Sequence, residues 1–266
     1  MRNVLTRIAN RAKRVACAPR PTVRRQTGTV RLGSDYGGWT LVDSPEFRNC
    51  TIVSAGLGED ASFDVEFARK YDARVVLVDP TPRAIAHFEA IVARLGQSAQ
   101  RGYAKDGFQP IEAYELNGIS ERQLKLVRKA LWIEPTLVKF YAPNNPAHVS
   151  HSIMNHQHGY DAESEHILVP ATVIEAVLAE FDIDHLPLLK LDIEGAGHAV
   201  IKDMLEKNIR PSQILVEFDE LNIPSRRAIA AFRATDEVLH AAGYSIADFD
   251  GRANFVYIAD AVGVNQ

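Results

Sequence analysis

The densest chemistry in this 266-residue chain lies in Leu188–Gly195, which reads LLKLDIEG. The run alternates, so Lys190, Asp192 and Glu194 fall on one face of a strand at i, i+2 and i+4. A strand buried in a parallel sheet is apolar on both faces, and three charges hidden there without a purpose would cost several kcal/mol. The alternation therefore predicts a strand whose charged face opens into a ligand crevice at its C-terminal end. A carboxylate in that place can act as general base on a hydroxyl, and Lys190 can hold it or orient a substrate. Glu217 and Asp219, at the end of a later apolar run, could join them. The plainer alternative is a structural Lys190–Asp192 ion pair at a sheet edge.

A second group is Ser54-Ala55-Gly56-Leu57-Gly58-Glu59-Asp60-Ala61, set between an apolar run and a helical pattern. Glycines there let the backbone approach a ligand closely, and a helix N-terminus follows. Asp79 closes the next apolar run, where an acid can accept hydrogen bonds from both hydroxyls of an adenosine ribose. Together these residues point to a nucleoside-containing cofactor. Gly56-x-Gly58-x-x-Ala61 also satisfies the dinucleotide fingerprint. However, Glu59 and Asp60 place two negative charges in the turn. They would repel a pyrophosphate and tolerate a sulfonium, which favours S-adenosylmethionine over NAD. A tight turn with no ligand is the alternative.

The third group is a histidine-rich loop with His148, His151, His156 and His158. Its spacing matches no helical zinc motif and no cysteine joins it, so no metal is assigned. It reads as a polar lid that touches substrate, with His151 beside Lys190 positioning an acceptor.

The elements that must position these groups follow from periodicity. Thr51–Gly56 and Arg74–Asp79 read as strands, and Ala61–Tyr71 and Pro82–Leu95 as the helices after them. This alternation predicts a parallel sheet with right-handed crossovers. Further on, Gln109–Tyr114 and Thr136–Tyr141 read as strands and Glu121–Leu131 as a short helix. Val173–Phe181 and Ala199–Leu205 read as helices, and Leu188–Ile193 and Ile214–Phe218 as strands. A helix after Ser225 ends at Gly243. Tyr244–Phe249 and Asn254–Ile258, joined at Asp250–Gly251, close the chain as a β-hairpin.

Composition bounds the rest. With 46% hydrophobic and 24% charged residues, the chain is neither disordered nor fibrous. No apolar run is long enough to span a membrane. Cys17 and Cys50 cannot build a disulfide framework, and a reducing, cytoplasmic setting is the default reading. The net charge of −4 hides an asymmetry, because residues 1–34 hold nine Arg or Lys and no acid. The remainder carries 21 basic against 34 acidic residues, a body unlike a nucleic-acid binder. Residues 1–30 read as a basic arm with an apolar stripe at Leu5, Ile8, Ala12 and Val15. A solvated extension, a peripheral membrane or anionic-partner contact, and a transit peptide are the readings open to it. Residues 31–266 form the main domain.

Several blocks, in order over roughly 31–260, resemble the FkbM-type S-adenosylmethionine-dependent methyltransferases. They are LGSDYGGW from Leu32, SAGLGEDASFD from Ser54, VDPTP from Val78, HVSHSI from His148, LKLDIEGA from Leu189, ILVEF from Ile214 and Asn254-Phe255. The resemblance implies a Rossmann-like class I methyltransferase fold. That fold is a seven-stranded, mostly parallel sheet with helices on both faces and a closing antiparallel hairpin. It implies a cofactor site at Tyr36, Gly56, Leu57, Gly58, Glu59, Asp60, Asp79 and Pro80. It also implies methylation of a hydroxyl on a sugar, lipid or small natural product. Three positions depart from the pattern: Ser54 stands where the general motif has an acid, Asp60 where it has glycine, and Gly197 where the family has glutamate. Asp192 or Glu194 is the expected base. A nicotinamide-dependent oxidoreductase and a non-catalytic binding protein on the same fold are the competing classes.

Overall fold

The computed structural model describes residues 18–141, 153, 164–222 and 225–260. In chain order the elements are β1 (Thr29–Leu32), β2 (Trp39–Val42), β3 (Thr51–Ala55), α1 (Ser62–Tyr71), β4 (Arg74–Val78) and α2 (Pro82–Val92). Then come β5 (Leu124–Val127), β6 (Ala130–Leu131), β7 (Leu137–Tyr141), β8 (His166–Thr172) and α3 (Ile174–Glu180). The last are β9 (Leu188–Leu191), α4 (Gly197–Glu206), β10 (Gln213–Glu217), α5 (Arg226–Ala241), β11 (Tyr244–Phe249) and β12 (Asn254–Ala259). Local chemistry explains several of the boundaries. The Thr81 hydroxyl caps α2, with Pro82 in its first turn, and Ser225 Oγ accepts from Ala228 N (3.0 Å) to cap α5.

The main sheet has seven strands in the order β11-β12-β10-β9-β3-β4-β5. Neighbours from β10 to β5 pair in parallel, and β12 runs antiparallel between β10 and β11. The chain moves outward from β3 to β4 and β5, then returns to place β9 on the other side of β3. The strand order therefore reverses between β3 and β9, and ligands bind outside the strand ends at such a switch point.

Alternate side chains fall into two apolar clusters. Ile52, Val75, Leu77, Leu188 and Leu215 join α1 and α2 residues such as Phe63, Phe67 and Ile91. Val53, Ala55, Val76, Val78, Leu189, Leu191 and Val216 join Val177, Ile201, Met204, Phe232 and Leu239 from α3, α4 and α5. A separate small sheet, β6-β8-β7, carries its own cluster of Ala130, Val138, Val169 and Ala171. Among the described residues no helix is long and apolar enough to cross a membrane.

Two expectations fail. Gln109–Tyr114 is not a strand but holds a short 3-10 turn, Ile111–Ala113. Pro110 has no N–H to give a ladder, and the Gln109 side chain bonds Ala104, Asp106 and Asp60 instead. Glu121–Leu131 is not a helix but supplies β5 and β6. Leu124 and Leu126 pack on the first cluster and Val127 on the second, a period of two set by pairing with β4. Part of the basic arm is described. Val23 bridges Ile246, and Arg24 N donates to Ile246 O (2.8 Å), so this stretch lies along β11.

Candidate active site

β3 ends at Ala55, and the chain turns at once through Gly56 (φ +89°) and Gly58 (φ +55°). Only glycine fits at 56, because an added Cβ would lie 1.8 Å from the carbonyl oxygen of Asp192. The mouths of β3 and β9 meet there, with Asp192 N donating to Ala55 O (3.0 Å). Asp79, one residue past β4, clamps the turn. Its Oδ2 accepts from Leu57 N and Gly58 N, both at 3.0 Å. Its Oδ1 accepts from Thr81 N (2.8 Å) and Thr81 Oγ1 (2.7 Å). A carboxylate offers about four lone-pair positions, so protein donors use this one fully. Asp79, which the sequence set against a ribose, also lines the cleft.

Both acids of the turn also have partners. Glu59 pairs with Arg83 of α2. Asp60 accepts from Ser34 Oγ (2.6 Å), Gln109 Nε2 (3.1 Å) and Ser62 N (2.9 Å). The last bond satisfies one of the unpaired N–H groups that open α1. Arg83 offsets Glu59, so the repulsion toward a pyrophosphate that the sequence suggested comes down to Asp60 and the acids across the cleft. Lys190 Nζ donates to Gly56 O (2.8 Å) and lies 3.8 Å from Asp192 Oδ2. It thus braces the glycine turn from the cleft wall.

Opposite the turn, Asp192, Glu217 and Asp219 each bring a carboxylate oxygen within 4.8 Å of the others. Asp219 Oδ2 accepts from Gly195 N (3.0 Å), and Asn222 Nδ2 donates to Glu217 Oε1 (3.1 Å). Like charges this close cannot all ionise in a desolvated place. Burial, then Asp192 and Glu194, push Glu217 up to about 8. Burial, then Glu194, Glu217 and Asp192, hold Asp219 well above the usual carboxylate range. Burial and like charge thus bias Glu217 and Asp219 toward their protonated forms. Oxygen ligands in such a set could also share a divalent cation. Glu194 sits beside them in a left-handed turn with Gly195 (φ +48° and +82°).

A cleft of about 790 Å³ joins the turn to these carboxylates, a volume in the range of small-molecule sites. Gly56, Leu57, Gly58, Glu59, Asp60, Asp79, Pro80, Lys190, Asp192 and Glu194 all line it, as does Tyr36. Tyr36 stands 59% exposed at the mouth. Partial burial, then the facing Asp192 and Glu217, raise the pKa of its hydroxyl. His151 and the other loop histidines lie outside the described residues, though Ile153 from that loop lines the cleft. Sequence reasoning missed Asn222 and Arg252 on the wall and the braces Arg83 and Gln109, which come from distant segments with no local pattern to mark them; Ser34 and Asn254 fell in blocks of the family resemblance but were given no role.

The model of the methyltransferase FkbM domain family matches residues 58–246. No curated protein matches the chain significantly. Among solved structures, the Methanococcus jannaschii fibrillarin pre-rRNA processing protein is similar at 13% identity and TM-score 0.39, over 82% of this chain and 70% of that one. The S-adenosylmethionine-dependent methyltransferase SibL is similar at 15% identity and TM-score 0.33, over 82% of this chain and 52% of that one. The 16S rRNA (adenine(1408)-N(1))-methyltransferase of Catenulisporales acidiphilia is similar at 14% identity and TM-score 0.35, over 81% of this chain and 90% of that one.

Proposed function

The chain belongs to the FkbM methyltransferase family, and from that premise we propose that it methylates a hydroxyl oxygen of a sugar, lipid or small natural product with S-adenosylmethionine. The observation that carries this reading is one cleft with a glycine turn on one wall and three converging carboxylates, Asp192, Glu217 and Asp219, on the other. The residues present suit the cofactor. Among the described lining residues the basic side chains are Lys190 and Arg252, against nine acids, and Lys190 is committed to Gly56 O. A cleft so acidic favours a sulfonium cation and disfavours a pyrophosphate. The two apolar clusters support the three-layer form of the fold, with helices on both faces of the sheet.

S-Adenosylmethionine, when bound, supplies an electrophilic methyl group. The chain supplies the rest. Gly56–Asp60, with Tyr36 and Pro80, would hold the cofactor, and Asp79 holds the turn in shape. Asp192 stands at the mouth of β9 with its side chain 32% exposed, next to Glu217. With Glu217 biased toward its protonated form, Asp192 serves as the base that takes the hydroxyl proton, and Glu194 is the second candidate. Walls built from the strand mouths and β6 exclude water and align the acceptor. The basic residues of 1–30 would serve contact with an anionic surface, from a segment whose Val23 and Arg24 lie along β11.

Calorimetric titration with S-adenosylmethionine, S-adenosylhomocysteine and NAD tests the cofactor. Micromolar binding of the first two is expected, and binding of NAD alone would replace methyl transfer by hydride chemistry. An acceptor screen then follows S-adenosylhomocysteine release. Asp192→Asn should lose most turnover with cofactor affinity retained. Full turnover in both Asp192→Asn and Glu194→Gln would remove the carboxylate base, and loss of turnover on chelation would transfer its role to a bound cation.

A further inference from the structure

α1 begins without a cap of its own. Its N-cap residue is Ala61, which has no side-chain oxygen and makes no side-chain cap bond. The N–H groups that open a helix still need acceptors. Asp60 takes Ser62 N. Ala61 N donates to Tyr114 Oη (3.0 Å), a residue from a distant segment.

Tyr114 follows the 3-10 turn Ile111–Ala113 and is wholly buried. Its hydroxyl oxygen lies 2.7 Å from Nε2 of His87, one of the buried residues of α2. Among the described residues no third group bonds this oxygen. A phenol has one proton to donate. Ala61 N–H is already the donor in one bond, so the Tyr114 proton belongs to the other, and His87 Nε2 accepts it. His87 is then neutral, with its own proton on Nδ1.

The surroundings suit that state. His87 is 5% exposed, and Phe108 packs edge-on against its ring at 6.1 Å. Burial lowers its pKa below the ordinary 6.5, against the opposite pull of Glu59 and Asp60 from the glycine turn. Both acids have partners elsewhere, Glu59 in Arg83 of α2 and Asp60 in Ser34, Gln109 and Ser62. The titratable groups that face the Tyr114 hydroxyl, besides His87, are Asp60, Tyr103 and Asp64. A protonated His87 would reverse the second bond. Nε2 would become a donor, and the phenol proton would lose its buried acceptor.

We propose that Tyr114 and His87 are positioning residues for cofactor binding: Tyr114 caps α1 from outside, His87 takes the Tyr114 proton so that the hydroxyl oxygen faces Ala61, and the glycine turn that ends at Asp60 is thereby held in shape. The proposal rests on reading that turn as the cofactor site. Neither residue lines the cleft, so both act through the backbone at Ala61.

The test uses the full chain, with S-adenosylhomocysteine as the probe in calorimetric titrations. Tyr114→Phe keeps the ring and strips the acceptor from Ala61 N, so binding should weaken about tenfold, the scale of a buried donor left unpaired. His87→Met should also weaken binding. His87→Gln should stay within about threefold of the wild type, because its amide oxygen can accept where Nε2 does. Tyr114→Phe combined with His87→Met should bind no worse than Tyr114→Phe, because His87 acts only through the hydroxyl. Wild-type affinity should fall as the pH drops below 6.5 through the lowered His87 pKa, and His87→Gln should lack that step. Wild-type affinity in Tyr114→Phe, or equal losses in His87→Met and His87→Gln, would overturn the proposal.

A second measurement needs neither a cofactor nor a variant. Nitrogen NMR of the histidine rings in the wild type should show His87 with a bare Nε2 and a protonated Nδ1 at neutral pH. A protonated Nε2 there overturns the proposal. Protein that shows the expected ring form yet binds no S-adenosylhomocysteine would refute the cofactor reading and still support the chain of bonds from His87 to Ala61.

Discussion

Gly56→Ala tests the closest contact in the site. The residue has φ +89°, and the new Cβ would meet the Asp192 carbonyl oxygen at 1.8 Å and its carbon at 2.7 Å. Both atoms are backbone, so β9 must move away from β3 by more than an ångström, against the Asp192 N to Ala55 O bond. The left-handed backbone costs about 1–2 kcal/mol. Forcing an extra carbon into packed surroundings adds about 1–3 kcal/mol. The total, about 2–5 kcal/mol, is a large share of the stability of an ordinary domain. It corresponds to a fall in Tm of roughly 4–20 °C.

Gly96→Ala is the matched control. Gly96 has φ +82° with nothing within 4 Å of the added Cβ, so it carries the backbone strain without the clash. Thermal unfolding followed by circular dichroism gives both values, and the difference isolates the β3–β9 contact. S-Adenosylhomocysteine titration of Gly56→Ala should show binding lost. A Gly56→Ala protein with the Tm of Gly96→Ala and wild-type affinity would refute the close approach and the role of the turn.

Glu217 gives a prediction with a definite sign. Its carboxyl is raised from 4.5 to about 8 in the folded protein, so in that window the folded chain holds a proton the unfolded chain has lost. Stability therefore falls as pH rises through the window, and Glu217→Gln should flatten the dependence of the urea midpoint between about pH 5 and pH 8; an unchanged slope would mean the proton sits elsewhere. Asp79→Ala should lower both Tm and S-adenosylhomocysteine affinity, because it strips the acceptor from Leu57 N, Gly58 N and Thr81, at about 1–3 kcal/mol for donors left unpaired. Lost affinity with an unchanged Tm would show Asp79 serving the ribose directly. Arg83→Met should leave the Tm within a few degrees and weaken NAD-type anions no more than S-adenosylhomocysteine; selective loss of an anionic ligand would argue that Arg83 serves the ligand rather than Glu59.

The elements with strong local signals were legible. Thr51–Ala55 and Arg74–Val78 are β-branched or apolar runs closed by glycine or proline, and α2 and α5 announce themselves by Thr81-Pro82 and Ser225. β5 was not legible, because Leu124–Val127 is four residues flanked by charges, and its period of two appears only when it pairs with β4. The place of Asp79 could be read, but not its partners, since Leu57 and Gly58 come near it only through the β3–β4 pairing. The same holds for Lys190. Alternation put it on one face with Asp192, but register decided that this face is an apolar layer shared with Ser54 and Leu215.

The sequence by itself determined the class of the sheet, the glycine turn and the acids near its mouth, because those depend on backbone freedom and short-range periodicity. Tertiary structure alone decided which acids meet. Asp192, Glu217 and Asp219 converge because β9 and β10 are parallel neighbours in near-matched register, so their mouths open at one level. It also decided that Lys190 and Asp79 brace the turn, since hydrogen-bond partners far apart in sequence are chosen by packing and not by local pattern.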